Sequence, residues 1–241
     1  MPQPRLEDTD VIILAGGKGT RLGTAGGNAP KVMAMVGGEP FLMHIVTRLK
    51  RQGARTICMA VGHKSNQVME YFGDGSDLGL SIRYSVETAP LGTGGAIRQA
   101  IEGSSKTLHV IQNGDSFVEV DYASLLAFHH GKRADLSMTL VELRDVSRFG
   151  AVEVDEKQRV RSFSEKPTGA ASTLVNAGVY VTDGDVLGKF PLGERLSLEN
   201  DMMPSLLHLG VYGYRCSGYF IDIGVPADYE SVRCGFPEGL L

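Results

Sequence analysis

Leu14-Ala15-Gly16-Gly17-Lys18-Gly19-Thr20-Arg21-Leu22 follows the apolar run Val11-Ile12-Ile13, which puts two cations in a glycine loop at the end of a buried strand. Glycines without Cβ let successive backbone N–H groups turn toward one anion, and Lys18 and Arg21, joined by Lys31, supply positive charge. That chemistry suits a triphosphate; a glycine-rich turn with solvated cations is the plainer alternative. The spacing fits neither the Gly-x-Gly-x-x-Gly dinucleotide fingerprint nor the Gly-x-x-x-x-Gly-Lys-Ser/Thr loop. Dinucleotide oxidoreductases and P-loop kinases or hydrolases are therefore excluded.

Gly114-Asp115 comes directly after the apolar strand Leu108 to Ile111, and the carboxyl ends of strands are where open α/β sheets bind ligands. Asp115 is thus a metal candidate, with an ordinary Asn-Gly-Asp turn as the alternative. Asp222 is embedded in Tyr219-Phe220-Ile221-Asp222-Ile223, where an unpaired carboxylate is costly, so it needs a cation partner. Two carboxylates with few other ligands suit Mg²⁺, which keeps much of its water and takes further oxygens from substrate phosphates. Pro90-Leu91-Gly92-Thr93-Gly94-Gly95-Ala96 follows a strand and opens a helix, offering a second concave backbone with Glu87 at the strand's end. Guanine presents two adjacent donors that one carboxylate can accept together, so Glu87 would select guanine, unless it is a solvated strand-end residue. In Ser164-Glu165-Lys166-Pro167 the proline holds Lys166 extended and adjacent residues face opposite ways. Lys166 then suits a sugar phosphate and Glu165 sugar hydroxyls, an exposed charged turn being the alternative. Asn176-Ala177-Gly178 offers an amide beside a close backbone approach, and Gly150 leaves room for a ring to lie against the chain.

Short β-branched runs alternating with amphipathic segments position these residues, and that rhythm marks a mainly parallel sheet wrapped by helices. Strands are expected at Val11 to Leu14, Ile57 to Val61, Ile82 to Val86, Leu108 to Ile111 and Leu136 to Val141. Helical stripes are Phe41, Leu42, Ile45, Val46, Leu49 and, behind Ser65 as cap, Val68, Met69, Phe72. After residue 143 a hairpin is expected from 151–154 and 160–163, then a strand at 177–181. Ser197 would cap a helix through Leu206, a strand spans 219–223, and a closing helix lies near 227–232. With no repeat or long linker, one continuous domain is expected over 1–241, about 11–115 holding nucleotide and about 116–235 holding sugar phosphate.

The 241 residues carry a net charge of −4, so no overall positive field holds a nucleic acid and an anionic ligand must meet a local cluster. The polar, acidic start and the lack of an apolar run of membrane-spanning length point to a cytoplasmic protein without a membrane partner. Three widely spaced cysteines fit reduced thiols, and the six histidines form no metal-ligand spacing, His129-His130 reading as part of an exposed helix face.

Taken in order, residues 14–22, Pro30-Lys31, Glu87 with 90–96, Asn113-Gly114-Asp115, Glu165-Lys166-Pro167, Asn176-Ala177-Gly178 and 218–229 resemble the sugar-1-phosphate nucleotidylyltransferase family. Glu87 with Pro-Leu-Gly-Thr-Gly-Gly-Ala, together with Ser197-Leu198-Glu199-Asn200-Asp201, most resembles its D-glycero-D-manno-heptose 1-phosphate guanylyltransferases of bacterial surface-polysaccharide pathways. The resemblance implies a Rossmann-like α/β fold of nucleotide-diphospho-sugar transferase type: a mixed, mainly parallel central sheet flanked by helices. It implies nucleotide contacts from Leu14, Ala15, Gly16, Gly17, Gly19, Thr20, Arg21, Glu87, Gly92 and Thr93. Sugar-phosphate contacts fall to Gly114, Gly150, Glu165, Lys166 and Asn176. Catalysis falls to Arg21, Lys31, Lys166 and Asp115, with Mg²⁺ on Asp115 and Asp222. The implied reaction joins GTP and a sugar 1-phosphate and expels pyrophosphate. A mannose 1-phosphate guanylyltransferase, a uridylyl- or thymidylyltransferase, and a non-catalytic nucleotide-sugar-binding subunit are the alternatives. Two features depart from the family: the glycine-rich stretch 23–29, and Val32 where a second proline is common after the lysine. The chain's end at Leu241 argues against an attached acetyltransferase or cupin-like domain, while oligomeric state has no sequence signal.

Overall fold

The computed structural model describes residues 3–17, 29–165, 172–237 and 239–240. The apolar strand β1 (Asp10–Leu14) is buried along nearly its whole length. It lies between two other apolar strands, as parallel strands covered on both faces must. Its neighbours β4 (Thr56–Val61) and β6 (Leu108–Asn113) run parallel to it, with Val11 opposite Ile57 on one side and Val110 on the other. Beyond β4 lies β5 (Ser81–Val86), also parallel.

Helices connect these strands. The α1 stripe (Phe41–Arg51) buries Phe41, Leu42, Ile45, Val46 and Leu49, and the chain turns back at Gly53 with φ +100°. α2 (Ser65–Phe72) joins β4 to β5, and α3 (Gly92–Glu102) crosses from β5 back to β6 on the far side of β1. The resulting order β5-β4-β1-β6 reverses direction at β1, and such a reversal opens a crevice beyond the strands' carboxyl ends. The cap of α2 differs from expectation. Ser65 is the first helical residue, Lys64 occupies the cap in a left-handed conformation at φ 56°, and no side chain caps the helix.

The second half continues the sheet mostly antiparallel. The long strand β11 (Leu174–Asp183) pairs with β6, with β8 (Leu136–Glu142) and with β9 (Gly150–Val154), and β9 pairs with β10 (Val160–Glu165) as the expected hairpin. Among the described residues nine strands form this sheet, the ninth being β12 (Val211–Arg215) beside β8. A register shift between Asn176 and Tyr180, with Gly178 at φ +79°, bulges β11 where the two halves meet. Separate ribbons pair β2 (Met35–Val36) with β3 (Glu39–Pro40), and β7 (Ser116–Val118) with β13 (Phe220–Asp222).

Strands β2, β3, β7 and β12 and a helix over residues 184–188 were not in the sequence pattern. β2, β3 and β7 are too short to show alternation. The helix that carries His129, α4 (Tyr122–Lys132), is marked by Asp121, whose carboxylate accepts the Ala123 and Ser124 N–H groups. α4 also corrects the reading of His129: it is buried at 5% exposure, with Nδ1 3.0 Å from Ser137 Oγ, and only His130 faces outward. Residues 184–188 form the short helix α5. Ser197 does act as a cap, accepting the Asn200 N–H, but the segment behind it is a π-turn over Leu198–Met202 before α6 (Met203–Leu206). The closing helix is α7 (Pro226–Val232). Apolar side chains fill both faces of the sheet, α1, α4 and α7 covering one and α3, α5 and α6 the other. All three cysteines are free. No described helix is long and apolar enough to cross a membrane.

Candidate active site

The crevice at the strand reversal is a cleft of about 800 Å³ whose lining includes Leu14, Gly16, Gly17, Glu87, Gly92, Thr93 and Asp115. Each sits at or just past a strand end because the four parallel strands finish at one level. Ala15 lies behind the surface: its side chain is buried and its N–H donates to Ala60 O at 2.8 Å. Lys18, Gly19, Thr20, Arg21 and Lys166 lie outside the described residues.

Glu87 is held in place rather than solvated. Its Oε2 accepts the Leu91 N–H at 2.8 Å, and Oε1 lies 2.6 Å from where a Cβ on Gly16 would stand. Gly16 is therefore needed for close approach of the carboxylate to the loop. Burial raises the Glu87 carboxyl above its ordinary range, opposed by the Leu91 N–H.

The glycines after Leu91 have a different task from the expected backbone cradle. A Cβ on Gly92 would stand 2.5 Å from Leu196 O, one on Gly94 would meet Met202 Sδ, and one on Gly95 would meet Glu194 O. They let the start of α3 lie flat against the 194–202 segment, and the Gly94 and Gly95 N–H groups donate to Leu196 O at 2.8 and 3.2 Å. The Thr93 hydroxyl is likewise engaged, donating to Glu199 Oε2 and accepting the Leu198 N–H, each at 2.8 Å.

At one end of the cleft, β7 and β13 bring the two aspartates together, Asp222 pairing opposite Ser116. Lys31 Nζ lies 2.7 Å from Asp115 Oδ2 and 3.6 Å from Asp222 Oδ1, while Ser116 Oγ donates to Asp222 Oδ2 at 3.1 Å. Side-chain exposures of 11% for Lys31, 36% for Asp115 and 28% for Asp222 put the ammonium inside and leave the carboxylates partly exposed. Asp115 lines the cleft, whereas Asp222 lines a second pocket of about 290 Å³ beside Arg148, Phe149 and Asp228. Burial, then the Asp115 charge, pushes the Asp222 carboxyl above its ordinary range, with Lys31 opposing.

The donor set fits a hard divalent cation. Two carboxylates already converge on one positive charge, that of Lys31, with Asp115 open to the cleft and Asp222 to the second pocket. Among the described residues no group of three or more His, Cys, Asp or Glu is placed to hold a metal ion, so beyond these two carboxylates an ion here would need water and phosphate oxygens.

Across the bulge in β11, Asn176 Oδ1 accepts the Gly178 N–H and its Nδ2 donates to Tyr180 Oη. Gly178 in turn leaves room for the Asn113 side chain. Tyr180 is fully buried and its phenol is raised by burial, then by the Glu199 charge, with Glu165 adding to it. The ring lying against Gly150 is that of Phe163, 2.5 Å from a Cβ position there, with Glu165 Oε2 at 3.1 Å. Gly114 is buried between strands, its N–H donating to Leu14 O at 2.9 Å. Asn113 and Arg195 also line the cleft. Asn113 could have been singled out from its place beside Gly114-Asp115, whereas nothing near Arg195 in sequence signals the cleft.

A family model described as Nucleotidyl transferase matches residues 10–236. The chain is 39% identical over 234 residues to a mannose-1-phosphate guanylyltransferase of Mycobacterium tuberculosis, a match covering 96% of this chain and 65% of that protein. It therefore spans just under two thirds of that relative's length. It is 38% identical over 218 residues to a D-glycero-alpha-D-manno-heptose 1-phosphate guanylyltransferase of Campylobacter jejuni, covering 90% of this chain and 96% of that one. In three dimensions it is similar to HddC from Yersinia pseudotuberculosis complexed with GMP-PN, with a TM-score of 0.82 and 31% identity over 93% of this chain and 97% of HddC. The mixed, mainly parallel sheet flanked by helices is the fold these proteins share.

Proposed function

The chain belongs to the nucleotidyl transferase family, and from that premise we propose that it transfers the guanylyl group of GTP to D-glycero-D-manno-heptose 1-phosphate. The products are a GDP-heptose, for surface polysaccharide synthesis, and pyrophosphate. The observation that carries this reading is the meeting of Asp115 and Asp222 on Lys31, with Asp115 lining the same cleft as Glu87. Relatives named for guanylyl transfer to heptose and mannose 1-phosphates, and a similar structure complexed with GMP-PN, support it.

A sugar phosphate monoester has its second pKa at about 6, so at neutral pH the attacking oxygen is already anionic and needs no base. It attacks the α-phosphorus in line and pyrophosphate leaves. The barrier is repulsion between two anions, and this chain's residues lower it by holding them together. Glu87 Oε1 accepts guanine N1–H and N2–H while Oε2 keeps the Leu91 N–H. Leu14, Gly16, Gly17 and Gly92 bound the base and ribose. Arg21 and Lys31 neutralise the triphosphate, and Lys166 neutralises the phosphate of the sugar. Asp115 and Asp222 would hold Mg²⁺, which supplies Lewis-acid neutralisation of the phosphoryl oxygens. Residues up to about 115 carry the nucleotide and residues from about 116 the sugar phosphate, with Glu165 on the sugar hydroxyls; Gly114, Gly150 and Asn176 shape the strands around the join and do not touch the sugar. With GTP as donor the reaction belongs to the cytoplasm.

A mannose 1-phosphate acceptor is the second reading, favoured by the 39% identity to the mycobacterial enzyme. The test is pyrophosphate release from a matrix of GTP, UTP and dTTP against heptose, mannose and glucose 1-phosphates. The heptose and GTP pair is expected to give the largest kcat/KM. A preference for mannose 1-phosphate would select the second reading, and a preference for UTP or dTTP would remove the role of Glu87.

A further inference from the structure

Two walls of the cleft come from distant parts of the chain, and the contact between them is a dense polar seam. One wall is the strand-to-helix turn from Glu87 to Ala96. The other is formed by Arg195, and the segment that carries it runs on into the π-turn Leu198–Met202 behind that wall; π-turns concentrate at functional sites. Leu196 N–H donates to Leu91 O at 2.8 Å, and Leu196 O accepts the Gly94 and Gly95 N–H groups. At the centre, Glu199 Oε2 accepts from the Thr93 hydroxyl at 2.8 Å and the Ser197 hydroxyl at 2.9 Å. Ser197 is itself fixed, its N–H donating to Asp201 Oδ2 at 2.7 Å and its Oγ accepting the Asn200 N–H at 3.1 Å. The charge of Glu199 is felt at the buried Tyr180 phenol, whose Oη accepts from Asn176 on the bulge.

We propose that Glu199 is a positioning residue that ties the Glu87-to-Ala96 wall to the segment carrying Arg195 through Thr93, so that both substrates meet a cleft of one fixed width. One carboxylate oxygen serves two hydroxyls from opposite walls, and hydrogen bonds to a charged acceptor are among the stronger ones available to a side chain. Thr93 gives its proton to Glu199 and a lone pair to Leu198, so its hydroxyl acts within this tie. Cutting the tie does not remove a group that touches either substrate; it lets the walls drift. Small displacements of a positioning wall are expensive for a reaction that depends on bringing two anions into line.

The inference rests on the guanylyl-transfer reading for its substrates, and the test separates the two. Nucleotide dissociation constants are measured calorimetrically without acceptor, using whichever nucleotide the wild-type enzyme prefers, beside steady-state KM values for both substrates. Glu199→Ala and Thr93→Val are each expected to weaken the nucleotide and raise KM for the acceptor about tenfold. The double variant should be no worse than the single ones, because one tie is broken once. Glu199→Gln, which keeps an oxygen for both hydroxyls but not the charge, should recover part of the loss in both constants, and Thr93→Ser should restore both to within about twofold. A role in stability alone would lower the melting temperature and the active fraction while leaving KM and Kd in place. Nucleotide affinity unchanged in Glu199→Ala, or losses that add in the double variant, would overturn the tie. A wild type that binds nucleotide yet joins it to no sugar phosphate would overturn the proposed reaction while leaving the calorimetric test of the tie intact.

Discussion

Glu87→Gln exchanges one oxygen for an NH₂ group at nearly constant volume, and the structure decides which oxygen. Oε2 is bound by the Leu91 N–H and Oε1 lies toward Gly16. A glutamine amide keeps the Leu91 bond only if its oxygen takes the Oε2 position, which turns the NH₂ group toward the base. Guanine then presents two donors to a donor. The loss is a charge-assisted hydrogen bond worth about 1.5 to 3 kcal/mol, plus about 1 to 3 kcal/mol for guanine donors left without an acceptor. Partial recovery of the burial cost that raises the Glu87 carboxyl offsets some of this. The net is about 2 to 4 kcal/mol, or roughly 30- to 1,000-fold in kcat/KM for GTP. A pyrimidine ring with a carbonyl beside one N–H suits an amide, so UTP and dTTP should lose nothing and the GTP-to-UTP ratio should collapse. The assay is pyrophosphate release with each nucleotide at fixed sugar phosphate, beside thermal unfolding to show an intact fold. GTP efficiency within about threefold of wild type, with the melting temperature kept, would refute the assignment.

Other expectations follow from the same geometry. Asp115→Asn and Asp222→Asn should each lower turnover by about 2 to 4 kcal/mol of transition-state stabilisation with unchanged near-UV circular dichroism; chelation should abolish wild-type turnover and Mg²⁺ restore it. Gly92→Ala places a Cβ 2.5 Å from Leu196 O at φ +71°, a backbone clash with no flexible side chain to yield. It should destabilise the protein by about 2 to 4 kcal/mol in urea unfolding, whereas Gly188→Ala, with open space around it, should stay within about 1 kcal/mol. Burial holds the His129 imidazole down to about 4, with Asp135 opposing and His130 assisting. Because the folded value lies below the ordinary 6.5, the neutral ring contributes stability above that pH and loses it as pH falls toward 4. Between pH 7.5 and 5 wild type should lose about 2 kcal/mol that His129→Gln does not lose. Parallel pH profiles for the two proteins would contradict the buried, neutral assignment.

The strands of the first half were legible because their apolar runs are local: β1, β4, β5 and β6 all lie where the pattern put them. So was the hairpin around Asp155, where Asp155 Oδ1 accepts the Lys157 and Arg159 N–H groups within the turn. β12 was missed because Tyr-Gly-Tyr breaks the apolar run, and only pairing to β8 makes it a strand. His129 was misread because adjacent histidines look polar, whereas on a helix their side chains point about 100° apart and one of them meets the core.

By itself, the sequence determined which chemistry is available: cations and glycines at a strand end, two isolated aspartates, a glutamate before a glycine turn. Those are properties of a few adjacent residues, and local sterics and charge suffice to read them. The tertiary structure decided what meets what. Ser116 and Asp222, 106 residues apart, become neighbours only when β7 pairs with β13, and the glycines of the 92–95 turn serve a protein wall that the sequence places a hundred residues later. Pairing across such distances is selected by the whole sheet and its packed faces, and no window of sequence contains that information.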